Sequence, residues 1–376
     1  MRPKKQVALL IETSNAYARG LLRGIMAYVR EHEPWAFRLT EHGRGEGGRN
    51  ELAGWQGHGA IARVENEKIA ASLRHFKRPV VDVSAARLLP KLPWVETDDE
   101  AIARAAADHL LARGIRNFGF CGDDRFNWSR WRREAFRRYL AAAGLGYSDG
   151  PSRGTGGLAE WVRALPKPAG VFACYDIRGR EVLDACRLAE VEVPHQVAVI
   201  GVDDDELLCE LADPPLSSVI PDTRRTGWVA AQLLDEWMAG QRPQPVAHRI
   251  PPLGVTTRRS TDMLAVEDPE LAAALRFIGE HACQGITVHD VLGQVALSRR
   301  VLESRFKQVL GRSPHDEILR VQLERAKQLL MQRHLTLMAV AHQSGFRNGE
   351  YLGTVFRREF GLTPGQYRKL HRSYSL

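Results

Sequence analysis

The 376-residue chain has no apolar run approaching the ~20 residues that cross a bilayer. Its first apolar stretch, Val7 to Ile11, stops at Glu12, short of the ~7–15-residue core of a signal sequence, so the protein is expected in the cytoplasm. Cysteine is sparse: Cys121, Cys174, Cys186, Cys209 and Cys283 are scattered and form no CxxC pair. That excludes a disulfide framework and a thiolate zinc site. No P-loop, G-x-S-x-G or HExxH motif is present, so neither an enzyme nor a cofactor is expected. The glycine scatter "GRGEGG" (43–48) does not join a strand to a helix at a phosphate-binding spacing and reads as a loop. Acidic excess is also missing, and the net charge of +8 is unevenly placed. From Ser298 onward 15 Lys and Arg stand against 6 Asp and Glu, a net of +9, whereas residues 1–297 are nearly balanced. Any surface for a polyanion is therefore confined to the last fifth of the chain.

What is present divides in two. Through about residue 255, short β-rich runs alternate with helical patterns: "QVALLIE" (6–12), "AFRLTE" (36–41), "GAIARV" (59–64), "PVVDVS" (79–84), "NFGFCG" (117–122), "GVFACYD" (170–176), "VAVIGVDD" (197–204), "LSSVIP" (216–221) and "VAHRIP" (246–251). Continuous apolar strands between helices indicate parallel sheets covered on both faces, and two such series indicate two doubly wound α/β units. "PPLGVTTRRSTD" (251–262) breaks the pattern and reads as a last strand entering a linker. From Pro269 every segment is helical, with helices expected over 269–282, 288–295, 298–310, 313–332, 336–343 and 348–360. The expected domains are 1–258, a linker over 259–268, and 269–376.

Two stretches in the helical part share one layout: "TVHDVLGQVALSRRVLESRFKQVLG" (287–311) and "TLMAVAHQSGFRNGEYLGTVFRREFG" (336–361). Each has a short helix, a tight turn, an N-cap residue (Ser298, Asn348) and a second helix ending at glycine (Gly311, Gly361). This is a helix-turn-helix, twice. The caps lie 50 residues apart, and a long connecting helix suits two major-groove faces about 34 Å apart on B-DNA. Residues near the start of each second helix are the candidates for reading base edges: Arg299, Arg300, Glu303 and Ser304, then Arg347, Asn348, Glu350 and Thr354. Arg305, Lys307, Arg312, Arg357, Arg358 and Arg368 are candidates for holding phosphates.

With "ERAKQLL", "AVAHQSGF" and "YLGTVFRREFGLTPGQYRK", the region from about 267 to 371 resembles the AraC-type DNA-binding domain. The resemblance implies transcriptional regulation through double-stranded DNA half-sites. Gly349 and Gly353 depart from the family pattern, so the second recognition helix is expected to read fewer bases than the first.

The first 258 residues resemble the ligand-binding domain of LacI-type repressors and periplasmic sugar receptors. The carrying pieces are "GLLRGIMAYVRE", "WVETDDEAIARAAADHLLARGIRNFGFCG", "WRREAFRRYL", "FACYDIRGREVLDACRLAEVEVPHQVAVIGVDDDE" and "LADPPLSSVIPDTRRTGWVAAQLLDEWMAG". The fold implied is a two-lobed α/β sensor of the periplasmic-binding-protein type, followed by an all-α domain with two helix-turn-helix motifs. By motif position Arg132, Asp176 and Asp203 match the hydroxyl-binding residues of that family. Asn15, Tyr17 and Arg19 would line the other side of the cleft, and Trp128 or Phe126 would stack on a sugar ring. A LacI-like sensor ahead of an AraC-type tail is similar to the xylose operon regulators. That implies a homodimer with a sugar effector, xylose leading, and RNA polymerase as partner of an activator of pentose catabolism genes. Competing readings are another sugar, a repressor, an enzyme with a nucleic-acid-binding tail, or an extracytoplasmic receptor.

Overall fold

The computed structural model describes residues 4–40, 43, 52, 54–152, 154–244, 247–262, 268–331 and 335–372. The chain forms two units, Met1–Asp262 and Met263–Leu376. Most of "GRGEGG" lies outside the described residues.

The first unit holds two six-stranded sheets. In lobe 1, β1 (Lys5–Leu10) lies between β2 (Trp35–Leu39) and β3 (Gly59–Ala62), followed in the sheet by β4 (Val80–Asp82), β5 (Trp94–Thr97) and β11 (Ala247–Ile250). All of these neighbours pair in parallel. Lobe 2 repeats the plan with β6 (Asn117–Cys121) between β7 (Tyr147–Asp149) and β8 (Ala169–Ala173), then β9 (Val197–Val202), β10 (Ser217–Ile220) and an antiparallel β12 (Gly254–Thr256). The central strands β3, β8 and β9 are buried along their whole length, which is why they read as unbroken apolar runs. Two strands escape the periodicity reading, β5 and β7. The first abuts a helix directly, and the second is a three-residue polar edge.

The chain crosses between lobes three times: after β5 into α3 (Asp99–Leu111), after β10 into α8 (Thr223–Met238), and from β11 to β12. Backbone hydrogen bonds tie the crossings together, Asp98 N–H to Ile250 O at 2.7 Å and Leu253 N–H to Ile220 O at 2.8 Å. α8 returns to lobe 1 and packs on α1 (Ala16–Glu31). Glycines set that approach. A Cβ on Gly24 would lie 2.0 Å from Arg224 O, and one on Gly227 would lie 2.1 Å from Leu21 O.

Residues 259–262, expected to open the linker, belong to the sensor. Arg258, Ser260 and Thr261 are buried, and Arg259–Thr261 form a 3-10 turn. The segment looks like a tether because it is polar, but its buried polar side chains have partners. Ser217 N–H donates to Ser260 Oγ at 2.8 Å, and Ser260 Oγ donates to Val199 O at 2.6 Å. From lobe 2, Arg113 Nε donates to Thr261 O, and His109 Nε2 lies 2.7 Å from Thr261 Oγ1.

The second unit is helical: α9 (Pro269–His281), α10 (Val288–Leu292), α11 (Arg299–Leu310), α12 (Pro314–Met331), α13 (Leu337–Gln343), α14 (Gly349–Phe360) and α15 (Pro364–Arg372). α10 stops short of the expected 295, and α15 is a helix that the pattern did not indicate. α12 serves two small cores. Ile318 and Val321 pack with Leu271, Ile278, Leu302 and Phe306, while Leu319, Leu323, Ala326 and Leu330 pack with Val340, Leu352, Val355 and Phe356. Full burial of such side chains contributes about 1.5–3 kcal/mol each. Between the cores, buried Gln322 donates from Nε2 to Ala282 O at 2.9 Å and to Gly345 O at 3.1 Å. Gly345 has φ +81, and a Cβ there would lie 2.6 Å from Ala282 O. This turn therefore needs glycine both for its backbone and for its contact.

Candidate functional site

In the sensor, the C-terminal ends of the parallel strands of the two lobes face each other, where ligands of such sheets sit. Tyr17, Arg63 and Glu96 from lobe 1 and Trp128, Arg132 and Asp203 from lobe 2 line one small cavity of about 20 Å³. That is room for roughly one water, well below the ~300 Å³ of small ligand pockets. A monosaccharide enters only if the lobes part.

Of the expected residues in lobe 2, Trp128, Arg132 and Asp203 line the cavity and Asp176 does not. Arg132, on α4 (Asn127–Ala142), is 3% exposed. It donates to Asp99 Oδ1 at 2.7 Å and to Cys174 O at 2.6 Å. Asp203 follows β9 with φ +110, and Asp204 has φ +47. Both lie in the left-handed region that non-glycine residues rarely adopt, a strain typical of ligand-holding turns. Asp176 opens α6 (Asp176–Leu188), but Tyr175 is the cap. Its carboxylate instead accepts from Asp205 N–H at 2.9 Å and Ser218 Oγ at 2.6 Å. Burial and then the Asp203 charge push the Asp176 carboxyl well above its usual range. Trp128 lines the cavity, with Phe126 stacked on it at 4.9 Å and the Arg132 guanidinium over it at 4.9 Å. A sugar ring stacking on this indole must displace one of them.

Lobe 1 differs more from expectation. Tyr17 is in the cavity wall, and its hydroxyl donates to Glu96. Asn15 caps α1, accepting from Ala18 N–H at 2.9 Å and donating to Glu12 Oε1 at 3.1 Å. Arg19 donates to Thr13 O at 3.1 Å and stands 4.0 Å from Asp205 across the lobes. Asn127 makes a second cross-lobe contact, donating to Ala85 O at 3.2 Å and Ala86 O at 3.1 Å. Pro221 lies in the second crossing and offers only its carbonyl, which accepts from Thr223 N–H.

Sequence reasoning missed Arg63 and Glu96. Their signal was a charged residue within an otherwise apolar strand run, in "GAIARV" and "WVET". Burial pushes the Glu96 carboxyl up to about 8, Asp99 adds to the shift, and Arg63 opposes it. Asp99 is pushed up to about 6 by burial, with Arg132 working against the rise. No group of acidic, His or Cys side chains among the described residues is placed to hold a metal ion.

In the helical unit both second helices are capped as expected. Ser298 Oγ accepts from Val301 N–H, and Asn348 Oδ1 accepts from Tyr351 N–H at 2.8 Å. The base-reading candidates Arg299, Arg300, Glu303, Ser304, Arg347, Asn348, Glu350 and Thr354 are all exposed. Arg299 and Glu303 form an i,i+4 pair at 2.9 Å, and Thr354 donates to Glu350 O at 3.1 Å. The phosphate candidates separate into two groups. Arg357 and Arg358 are exposed. Lys307 is exposed and donates to Gly311 O at the helix end. Arg305 instead binds Asp268, the cap of α9. Arg312 binds buried Glu317, and Arg368 donates to Leu330 O at 3.2 Å.

Three family models match in order: an XylR N-terminal domain over residues 6–100, a periplasmic binding protein-like domain over 107–261, and a helix-turn-helix domain over 292–370. The xylose operon regulatory protein of Escherichia coli K12 is 30% identical over 390 residues, covering 99% of both chains. That of Haemophilus influenzae is 31% identical, covering 96% of this chain and 98% of its own. The solved structure of a xylose-binding transcription activator, XylR, superposes with a TM-score of 0.74 at 30% identity, covering 98% of this chain and 99% of that one. A two-lobed sensor with a charged cleft, joined to a doubled helix-turn-helix and matched from end to end, places this chain in the family of xylose operon regulatory proteins: it is a transcription regulator, not an enzyme.

Proposed function

We propose that the chain is a cytoplasmic activator of pentose catabolism genes that responds to D-xylose. The observation that carries this reading is the pairing of Tyr17, Arg63 and Glu96 with Trp128, Arg132 and Asp203 across the lobes. Charged donors and acceptors on both walls suit a polyol, whose hydroxyls exchange water for charge-assisted hydrogen bonds. Closure on the sugar lets binding energy select one arrangement of the lobes, which is the differential affinity that an effector must have. Two copies of the chain would place their tails on paired half-sites, and DNA-bound dimers would recruit RNA polymerase.

Fluorescence anisotropy with DNA from upstream of pentose catabolism genes, with and without a panel of pentoses and hexoses, tests it. D-xylose should change the affinity at moderate salt. Arg132→Ala should abolish that change while DNA binding without sugar persists. Turnover of a sugar would sink the reading, and a response surviving in Arg132→Ala would place the ligand site elsewhere.

A further inference from the structure

Arg63 reaches the cleft already engaged by two acids. Its side chain is 5% exposed, Nη1 donates to Glu12, and Nη2 donates to Glu65. The guanidinium carbon lies 4.9 Å from the centre of the Tyr17 ring. Its Nε is buried and, among the described residues, has no hydrogen-bond partner. Burial works against the charge on Arg63, but Glu12 and Glu65 more than offset it, so the guanidinium stays protonated. A buried N–H without a partner, on a cation that lines a cavity, calls for an explanation, and a ligand oxygen is one. Across the cleft, Arg132 is likewise taken up by Asp99. Both cations in the wall are thus neutralised from behind, while Glu96 and Asp203 also line the cavity. An incoming carboxylate or phosphate would find no uncompensated positive charge, and its own charge would be buried unpaired.

We propose that Arg63 is a ligand-contacting residue of lobe 1 that donates its Nε–H to an oxygen of an uncharged sugar, and that Glu12 and Glu65 are positioning residues whose charge makes the cleft reject sugar acids and sugar phosphates. This rests on the sugar-sensing reading above. The selectivity resides in residues behind the contact rather than in the contact itself.

Calorimetric titration of the full chain with D-xylose, D-xylonate and D-xylulose 5-phosphate tests it. The wild type should bind the two anions at least about 100-fold more weakly than xylose, as burying an unpaired charge requires. Glu65→Gln should keep xylose affinity within about threefold and raise xylonate affinity about tenfold, since it removes one compensating charge beside Arg63. Glu12→Gln is the second variant should Glu65→Gln fail to fold, and a purely structural role for either acid would weaken both ligands in parallel. Arg63→Lys should weaken xylose binding, because the Nε donor and the fork are lost. Parallel loss in the carboxylate variants, or a wild type that takes xylonate as readily as xylose, would overturn the inference alone. A wild type that binds no neutral sugar would overturn the sugar reading itself.

Discussion

The Arg258 guanidinium donates to Asp204 Oδ1 at 2.7 Å. Asp204 is the neighbour of the cleft residue Asp203, and Arg258 opens the turn that ends the sensor. The same guanidinium donates to Glu210 Oε1 at 2.9 Å and Leu216 O at 3.0 Å. The strained turn after β9 and the exit from the sensor are therefore one connected group.

Arg258→Ala should remove that connection. Breaking a buried pair costs about 3–5 kcal/mol, and because Glu210 is half-exposed the loss should fall at or below the lower end. Urea unfolding of the full chain measures it. Xylose should still bind, whereas its effect on DNA affinity should shrink. An unchanged response would show that the sensor's exit is held by other contacts.

Glu96 sets a pH dependence. Its carboxyl is pushed up to about 8 in the fold, against an unfolded value of about 4.3. Between those values the folded protein holds more protons than the unfolded chain, so stability falls as pH rises. Glu96→Gln keeps an acceptor for the Tyr17 hydroxyl and cannot ionise. Thermal unfolding should show the variant gaining on the wild type as pH rises from about 5 to about 8. Parallel curves would place the Glu96 pKa near its ordinary value.

Arg300 and Arg357 should separate reading from holding. Arg300→Ala should relax base preference at one position, at about 1–3 kcal/mol of discrimination. Arg357→Ala should weaken all sequences alike and reduce the slope of log affinity against log salt by about 0.9. Anisotropy titrations on a set of single-base variants at several salt concentrations distinguish the two. Equal behaviour of the variants would mean that the base-facing residues are others.

Two glycines should respond in opposite directions. Gly227→Ala forces a Cβ into Leu21 O at the α1–α8 contact, and overpacking of this kind costs typically 1–3 kcal/mol, occasionally more. Gly353 has no atom within 4 Å of an added Cβ, so Gly353→Ala should stabilise α14 by about 0.5–1 kcal/mol. Denaturant midpoints report both. A loss of DNA affinity in Gly353→Ala, with the stability gained, would indicate close approach of that helix to the duplex.

The features legible in the sequence are local ones. Ser298, Asn348, Gly311 and Gly361 mark the recognition helices because capping needs only a side chain and its own next turn. Arg132, Asp176 and Asp203 are legible through the resemblance to the sugar-sensor family, whose motif positions they occupy. Arg63 and Glu96 are not, because their meaning depends on strands far apart in sequence meeting in one sheet edge. Residues 259–262 join the sensor for the same reason: the partners of Ser260 and Thr261 come from Ser217, His109 and Arg113, distant in sequence. Arg305, Arg312 and Arg368 look from the sequence like any other exposed base. Only the fold shows that their guanidinium groups hold helices together.

Gln322 has a consequence for the DNA itself. One amide bridges the two halves of the helical unit, and one helix lends its opposite sides to both cores. The two recognition helices are thus printed on a single stamp. Inserting half a helical turn between the two DNA segments that such a unit reads should move the second onto the far side of the duplex, out of reach of helices tied together at Gln322. The spacing between those segments should then matter to affinity as much as a base contact does, which anisotropy on DNA with inserted base pairs checks.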